Sequence, residues 1–217
     1  MKKVFSLIIL ITIFGCGIIA QDALEYQKPP GEIVEIMTAS PTPSVSISPD
    51  GTTIALTERP GMPSIEDLSQ EELRLGGLRI DPAVNGPSRR SYANGISLMN
   101  IDGTGKRELK GLPSNLKMGG FSWSNDGKQF AFTNTTDNSI ELWVGDVESL
   151  EVKKVDDKLN MVIGYRGFGW LADNKSILYQ TVIPGRGERP EPSTVPEGPV
   201  IQENLGKKGA ARTFQDL

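Results

Sequence analysis

Histidine is absent from the chain and cysteine occurs once, at Cys16. A Ser-His-Asp or Cys-His nucleophile system therefore cannot be completed within these residues, and histidine-containing zinc sites are excluded too. A single cysteine forms no intramolecular disulfide. The remaining reactive groups are carboxylates, 27 of them, and 23 lysines and arginines, for a net charge of −4 over 217 residues. A nucleic-acid binder carries the opposite balance or a dense basic stripe, so no nucleic-acid partner is expected. Asp50 and Asp126 invite a metal reading, but each is followed by glycine with no cluster of acids at calcium-loop spacing around it, and turn capping explains them better. The acid pairs Glu71-Glu72 and Asp156-Asp157 read as solvated faces, since two adjacent carboxylates are not by themselves a general acid and base. No catalytic residue, metal ligand or cofactor is expected.

Arginine is the one residue type whose placement favours chemistry. Arg79, Arg89, Arg90, Arg186 and Arg189 fall in two proline-rich stretches of an otherwise acidic chain. A guanidinium gives two parallel hydrogen bonds to one carboxylate, which suits recognition of an acidic group. The competing reading is solvation or pairing with nearby acids, which is usual for charge on loops.

The elements that must hold these arginines follow from a repeat. SISPDGTTIALT from Ser46 and SWSNDGKQFAFT from Ser122 align without a gap, and FGWLADNKSILYQT from Phe168 is a third, weaker copy. In each, a short apolar strand leads to an Asp-Gly or Asp-Asn turn and an alternating strand begins shortly after it. Glycine, and next to it asparagine, accepts the positive φ that tight turns need. Further strand pairs are predicted at 96–101 with 107–109 and at 140–144 with 152–155, so each repeat has about four strands. The interval from Asp126 to Asp173 is close to the roughly 40 to 45 residues of a four-stranded propeller blade. That from Asp50 to Asp126 is longer by an insertion at about 59–92, where strand pattern stops and prolines gather. Within it Ser64-Ile65-Glu66-Asp67 reads as a helix N-terminal cap, with Ile65, Leu68, Leu73 and Leu75 on one side of a short helix packed on the blade. A second insertion, about 184–208, reads as an extended loop. Trp123 and Trp170, each just before a turn, read as core packing. The fold class is thus all-β, an incomplete propeller of about two and a half four-stranded blades with a short helix in an insertion.

A leader precedes this domain. Lys2 and Lys3 open an apolar run that stays uncharged to Ala20, the layout of an export signal and short for a spanning helix. Cleavage between Ala20 and Gln21 leaves a mature domain over 21–217. The alternatives are a lipoprotein box in which Cys16 is acylated, and an uncleaved anchor. The protein is expected to be exported to the periplasm or exterior, with a membrane partner only if Cys16 is lipidated or the leader is retained.

Several stretches carry a family resemblance: Tyr26-Gln27-Lys28-Pro29-Pro30-Gly31-Glu32-Ile33, Leu78-Arg79-Ile80-Asp81 with Asn85 and Ser88-Arg89, Trp123-Ser124-Asn125-Asp126-Gly127-Lys128, Gly185-Arg186-Gly187-Glu188, Val195-Pro196-Glu197-Gly198-Pro199 and Arg212-Thr213-Phe214-Gln215-Asp216-Leu217. In this order they resemble the N-terminal propeller of the glutamyl endopeptidase group of the prolyl oligopeptidase clan. The resemblance implies a serine peptidase in which a propeller gates and helps position peptides or loosely folded chains for a C-terminal α/β-hydrolase domain, cleaving after glutamate. That domain is absent here, and no GxSxG elbow occurs in the chain. Aligned to the family, Arg89 and Arg186 are the expected substrate-binding residues, and the partners implied are a peptide substrate and the chain's own hydrolase domain. The rival expectation is a non-catalytic exported propeller that serves as an interaction scaffold of the Tol-propeller type.

Overall fold

The computed structural model describes residues 28–163, 167–187 and 191. The leader, with Cys16, Ala20 and Gln21, lies outside them, as does most of the second insertion. The chain divides into two compact units, 1–37 and 38–217. The first is described by residues 28–37 and carries most of helix α1 (Gly31–Thr38), in which the Pro30 carbonyl accepts from the Ile33 and Val34 amides at 3.0 and 3.1 Å. The sequence reading placed no helix there.

The second unit is all-β, built from antiparallel sheets. Sheet 1 comprises β1 (Ser44–Ile47), β2 (Thr53–Glu58), β6 (Gly95–Asn100) and β7 (Arg107–Glu108), in that spatial order. Sheet 2 runs β8 (Met118–Trp123), β9 (Gln129–Thr135), β10 (Ile140–Asp146), β11 (Val152–Asp156), and β12 (Phe168–Trp170) pairs with β13 (Ile177–Tyr179) as sheet 3. The three aligned copies therefore start three successive sheets, each by a hairpin across the aspartate turn.

Those turns show why their residues recur. Ser48 Oγ donates to Asp50 Oδ1 at 2.5 Å and accepts from the Thr53 amide at 3.0 Å; Ser124 Oγ repeats this with Asp126 at 2.7 Å and Gln129 at 2.9 Å. Gly51 and Gly127 take φ of 73° and 72°, and Asn174 takes 58° in the third copy. There Leu171 replaces the serine, and Asp173 accepts instead from the amides of Lys175 and Ser176 and from the Ser176 hydroxyl. These donors, the hydroxyl first, bring the Asp173 carboxyl down to about 2 from an ordinary 3.8. Because the folded value is the lower one, the turn's contribution is complete above about pH 4 and disappears as pH falls toward about 2. The melting temperature should drop across that window, and Asp173→Asn should shrink the drop. An identical pH profile in the variant would remove this carboxylate from acid stability.

The sheets pack face to face through two cores. Ala55, Ile96 and Leu98 of sheet 1 meet Phe130 and Phe132 of sheet 2, while Ala131, Ile140 and Leu142 on its other face meet Phe168 of sheet 3. Alternation along β9 thus sends Phe130 and Phe132 one way and Ala131 the other, and the strand is buried on both faces. Both tryptophans also tie their sheet to the one before. Trp123 Nε1 donates to Ser46 Oγ at 3.0 Å, and Trp170 Nε1 donates to the Ser122 carbonyl at 3.2 Å. Ser46 and Ser122 are aligned positions of the repeat, so the contact recurs from sheet to sheet.

The first insertion differs from expectation. Its strand pattern does not stop: β3 (Leu73–Leu75), β4 (Leu78–Asp81) and β5 (Gly86–Pro87) form a three-stranded antiparallel sheet. Helix α2 (Ile65–Ser69) is capped as predicted, Ser64 Oγ accepting from the Asp67 amide at 3.0 Å. It does not pack on the blade through the expected face. Ile65 is 84% exposed and Leu68 51%, while Leu73 and Leu75 belong to β3, because the chain turns extended at Gln70, with ψ of 148°.

Candidate functional site

Each aspartate turn joins the first two strands of its sheet, so the link from second to third strand leaves at the opposite end. Topology therefore collects the first insertion, the 136–139 turn of sheet 2 and the chain after β13 at that end. The insertions do meet: Arg186 Nη1 donates to Asn85 Oδ1 at 2.7 Å, and the Asn85 carbonyl accepts from the Met161 amide at 2.9 Å. Asn85 sits at φ 56°, a left-handed conformation that asparagine tolerates better than most residues.

A cleft of about 980 Å³ opens at this end, between the first insertion, the 113–117 segment and the strand ends of sheet 2. One wall is fastened by Lys117, whose Nζ lies 2.8 Å from Asp67 Oδ1. That hydrogen bond raises the lysine's pKa and lowers the aspartate's, holding both charged. The Lys117 amide donates to Asn134 Oδ1 at 2.9 Å, and Asn134 Nδ2 donates to Glu141 Oε2 at 2.9 Å. Trp143 Nε1 and Lys154 Nζ also donate to Glu141, at 2.8 and 3.2 Å. Burial pushes the Glu141 carboxyl up, but these donors outweigh it and leave the group below its ordinary value. Tyr92, also on the cleft, has its hydroxyl pKa raised, chiefly by burial.

Beside the cleft, Glu72 is enclosed by donors rather than solvated as its pairing with Glu71 suggested. Its side chain is 6% exposed and accepts from Arg74 Nε at 3.2 Å, Arg79 Nη1 at 2.9 Å and Ser88 Oγ at 2.6 Å, with Arg89 Nε at 3.2 Å. The Ser88 hydrogen bond is the largest cause of its lowered pKa. One carboxylate thus joins β3, β4 and the Ser88-Arg89 segment. Of the two arginines expected at a substrate, Arg89 lines the cleft but directs its guanidinium to Glu72, and Arg186 ties the two insertions together through Asn85. Sequence reasoning missed Glu72, the Asp67–Lys117 pair and the Asn134–Glu141–Lys154 chain. Only the first left a local signal, Gly76-Gly77 between two short alternating runs, which is a hairpin pattern with an arginine on each arm.

Chemically the arrangement holds charge and hydrogen-bonding groups in fixed positions. The Ser88 hydroxyl and the Asp67, Glu72 and Glu141 carboxylates are engaged in structural bonds.

No family model matches the chain. Two curated proteins do. One, from Arabidopsis thaliana and named "Probable glutamyl endopeptidase, chloroplastic", is 36% identical over 204 residues, covering 88% of this chain and 21% of that protein. The protein of the same name from Oryza sativa subsp. japonica is 34% identical over 207 residues, covering 88% of this chain and 22% of its own length. The chain therefore spans about a fifth of the length of these relatives. Among solved structures, an acylaminoacyl peptidase in complex with Z-Gly-Gly-Phe-chloromethyl ketone superposes with a TM-score of 0.36 at 15% identity, over 65% of this chain and 17% of that one.

Proposed function

Proceeding from a chain that is related in sequence to the glutamyl endopeptidases, we propose that it forms part of an exported serine peptidase of the prolyl oligopeptidase clan. The stacked sheets are successive blades of a propeller that admits and orients peptides for a hydrolase domain elsewhere in the protein. The observation that carries this reading is the similarity to two glutamyl endopeptidases over 88% of the chain. The recurring tryptophan bond from each sheet to the one before supports the propeller, because a contact that repeats from copy to copy is what radial stacking of equivalent units requires. The lysine-led leader supports export. In this reading the insertion-bearing end meets the peptide, since fixed, charged hydrogen-bonding groups line its cleft.

Chemistry and binding are then divided between domains, which a turnover assay tests. The purified 217-residue chain should leave a glutamyl chromogenic peptide intact, whereas the same chain continuous with a GxSxG-bearing hydrolase domain should cleave it. Hydrolysis by the chain alone, stopped by a serine-directed phosphonate, would refute the division. A reading frame that encodes only further blades and then stops would favour an interaction scaffold.

A further inference from the structure

We propose that the outer face of sheet 1, the one turned away from sheet 2, seats a further antiparallel sheet that comes from the protein beyond residue 217 and presents a small residue at the middle of its second strand. Three sets of four side chains stand at equivalent positions of the repeat, and each pairs across its hairpin in the same register. Val45 faces Leu56 and Ile47 faces Ile54 in sheet 1. Phe121 faces Phe132 and Trp123 faces Phe130 in sheet 2, and Phe168 faces Tyr179 and Trp170 faces Ile177 in sheet 3. Partners across a ladder, and residues two apart on a strand, point to one side of a sheet, so each set is one apolar patch.

The patches of sheets 2 and 3 are covered in the same way. That of sheet 2 packs on Ala55, Ile96 and Leu98 of sheet 1, and that of sheet 3 on Ala131, Ile140 and Leu142 of sheet 2. Ala55 and Ala131 are aligned positions, and alanine there leaves room for the rings of the next patch. The patch of sheet 1 has the same layout without the cover. Val45 is 61% exposed and Ile47 54%, Ile54 and Leu56 are half-buried, and among the described residues none of the four belongs to either core. Its apolar pattern therefore matches a sheet buried on both faces.

The two occupied joints define what fits. A second copy of the chain would bring the outer face of sheet 3, where Gly169 pairs with Leu178. Leu178 stands in place of the alanine and is 70% exposed. Among the described residues sheet 3 also has two strands rather than four, so it lacks the aliphatic third strand that completes the other receiving faces. The chain spans about a fifth of its curated relatives, and the remaining length has room for further sheets of roughly 40 to 45 residues each. This rests on the reading of the sheets as successive blades, and adds that later sequence returns to sheet 1. Isoleucine at 47 has no donor to match the indoles of Trp123 and Trp170, so that joint lacks the bond the other two have.

Thiol labelling of Ile47→Cys in a Cys16→Ser background tests the proposal, in the 217-residue chain and in the chain continuous with the rest of its protein. Each rate is referred to the same protein in urea and assigned to position 47 by peptide mapping. Labelling should be fast in the 217-residue chain and about tenfold or more slower in the longer one, as for a side chain reached only through local opening. A photoreactive benzoyl-phenylalanine at position 47, where the other copies hold a tryptophan, should crosslink within the longer protein to a residue beyond 217. The proposal is overturned if the two rates agree, if position 47 is already protected in the 217-residue chain, if the crosslink falls within residues 1–217 or joins two chains, or if none forms. Cleavage of a glutamyl peptide by the same longer protein reports separately on the peptidase reading, so an active protein with an unprotected position 47 would sink this proposal alone.

Discussion

Phe130→Ala is expected to destabilise the chain by about 3–5 kcal/mol, the range for removing a fully buried aromatic ring, and this approaches the whole stability of a marginal domain. Phe130 has no exposed surface and is stacked or edge-on to Phe121, Trp123 and Phe132, with centroids 5.7, 5.8 and 6.3 Å away. Directly across the ladder from it stands Gly145. A Cβ built there would lie 2.1 Å from the ring's Cζ, so the glycine is present because the phenyl ring occupies the space of its side chain. Gly145→Ala should accordingly cost about 1–3 kcal/mol in the native background, as overpacking does. In the Phe130→Ala background the same change should be close to neutral, because the ring it would strike is gone. Urea denaturation of the two single variants and the double variant measures the coupling. Additive effects, within about 0.5 kcal/mol, would mean that the two positions do not share this space.

The contrast between what the sequence disclosed and what it hid follows the range of the interactions. Asp50, Asp126 and Asp173 were readable as turn residues because their partners lie two or three positions away, and the strands they join were readable because alternation is local too. Trp123 and Trp170 were placed in packing for their size, but their bonds to Ser46 and Ser122 span 77 and 48 residues and needed the stacking order. In the first insertion the prolines misled. Pro87 reads as a breaker, yet it forms half of the two-residue edge strand β5 opposite Ile80, where a missing amide need not break the ladder. The site suffered most. Glu72 looked solvated beside Glu71 because Ser88, 16 residues on, is close only once β3, β4 and β5 have paired. The Asp67–Lys117 contact spans 50 residues and joins an insertion to the lead-in of sheet 2. Arg89 and Arg186 were noticed as arginines, but their actual partners, Glu72 and Asn85, depend on the same fold.

Glu141 carries the second large expectation, because it stands where the stability of sheet 2 and the shape of the cleft depend on one group. It is 8% exposed and takes donors from Asn134, Trp143 and Lys154. Glu141→Ala would leave the buried Asn134 amide without its acceptor, a loss that costs about 1–3 kcal/mol, and would also remove the acceptor of the half-buried Trp143 indole. A total near 3 kcal/mol is expected, of the size seen when a buried pair is broken from one side. Lys154→Met should cost under about 1 kcal/mol, since that ammonium is about half exposed and water can replace it. The sign with pH follows from the lowered carboxyl pKa. Its folded value lies below the unfolded 4.5, so the ionised group's contribution is complete above about pH 5 and is lost as pH falls further. The stability gap between native chain and Glu141→Ala should therefore narrow on acidification. The cleft should respond as well, because Asn134 also accepts from the Lys117 amide beside the Asp67 pair, and amide hydrogen exchange at Lys117 should quicken in the variant. A Glu141→Ala chain as stable as the native one at neutral pH, with Lys117 exchange unchanged, would show that this carboxylate neither holds the sheet nor shapes the cleft.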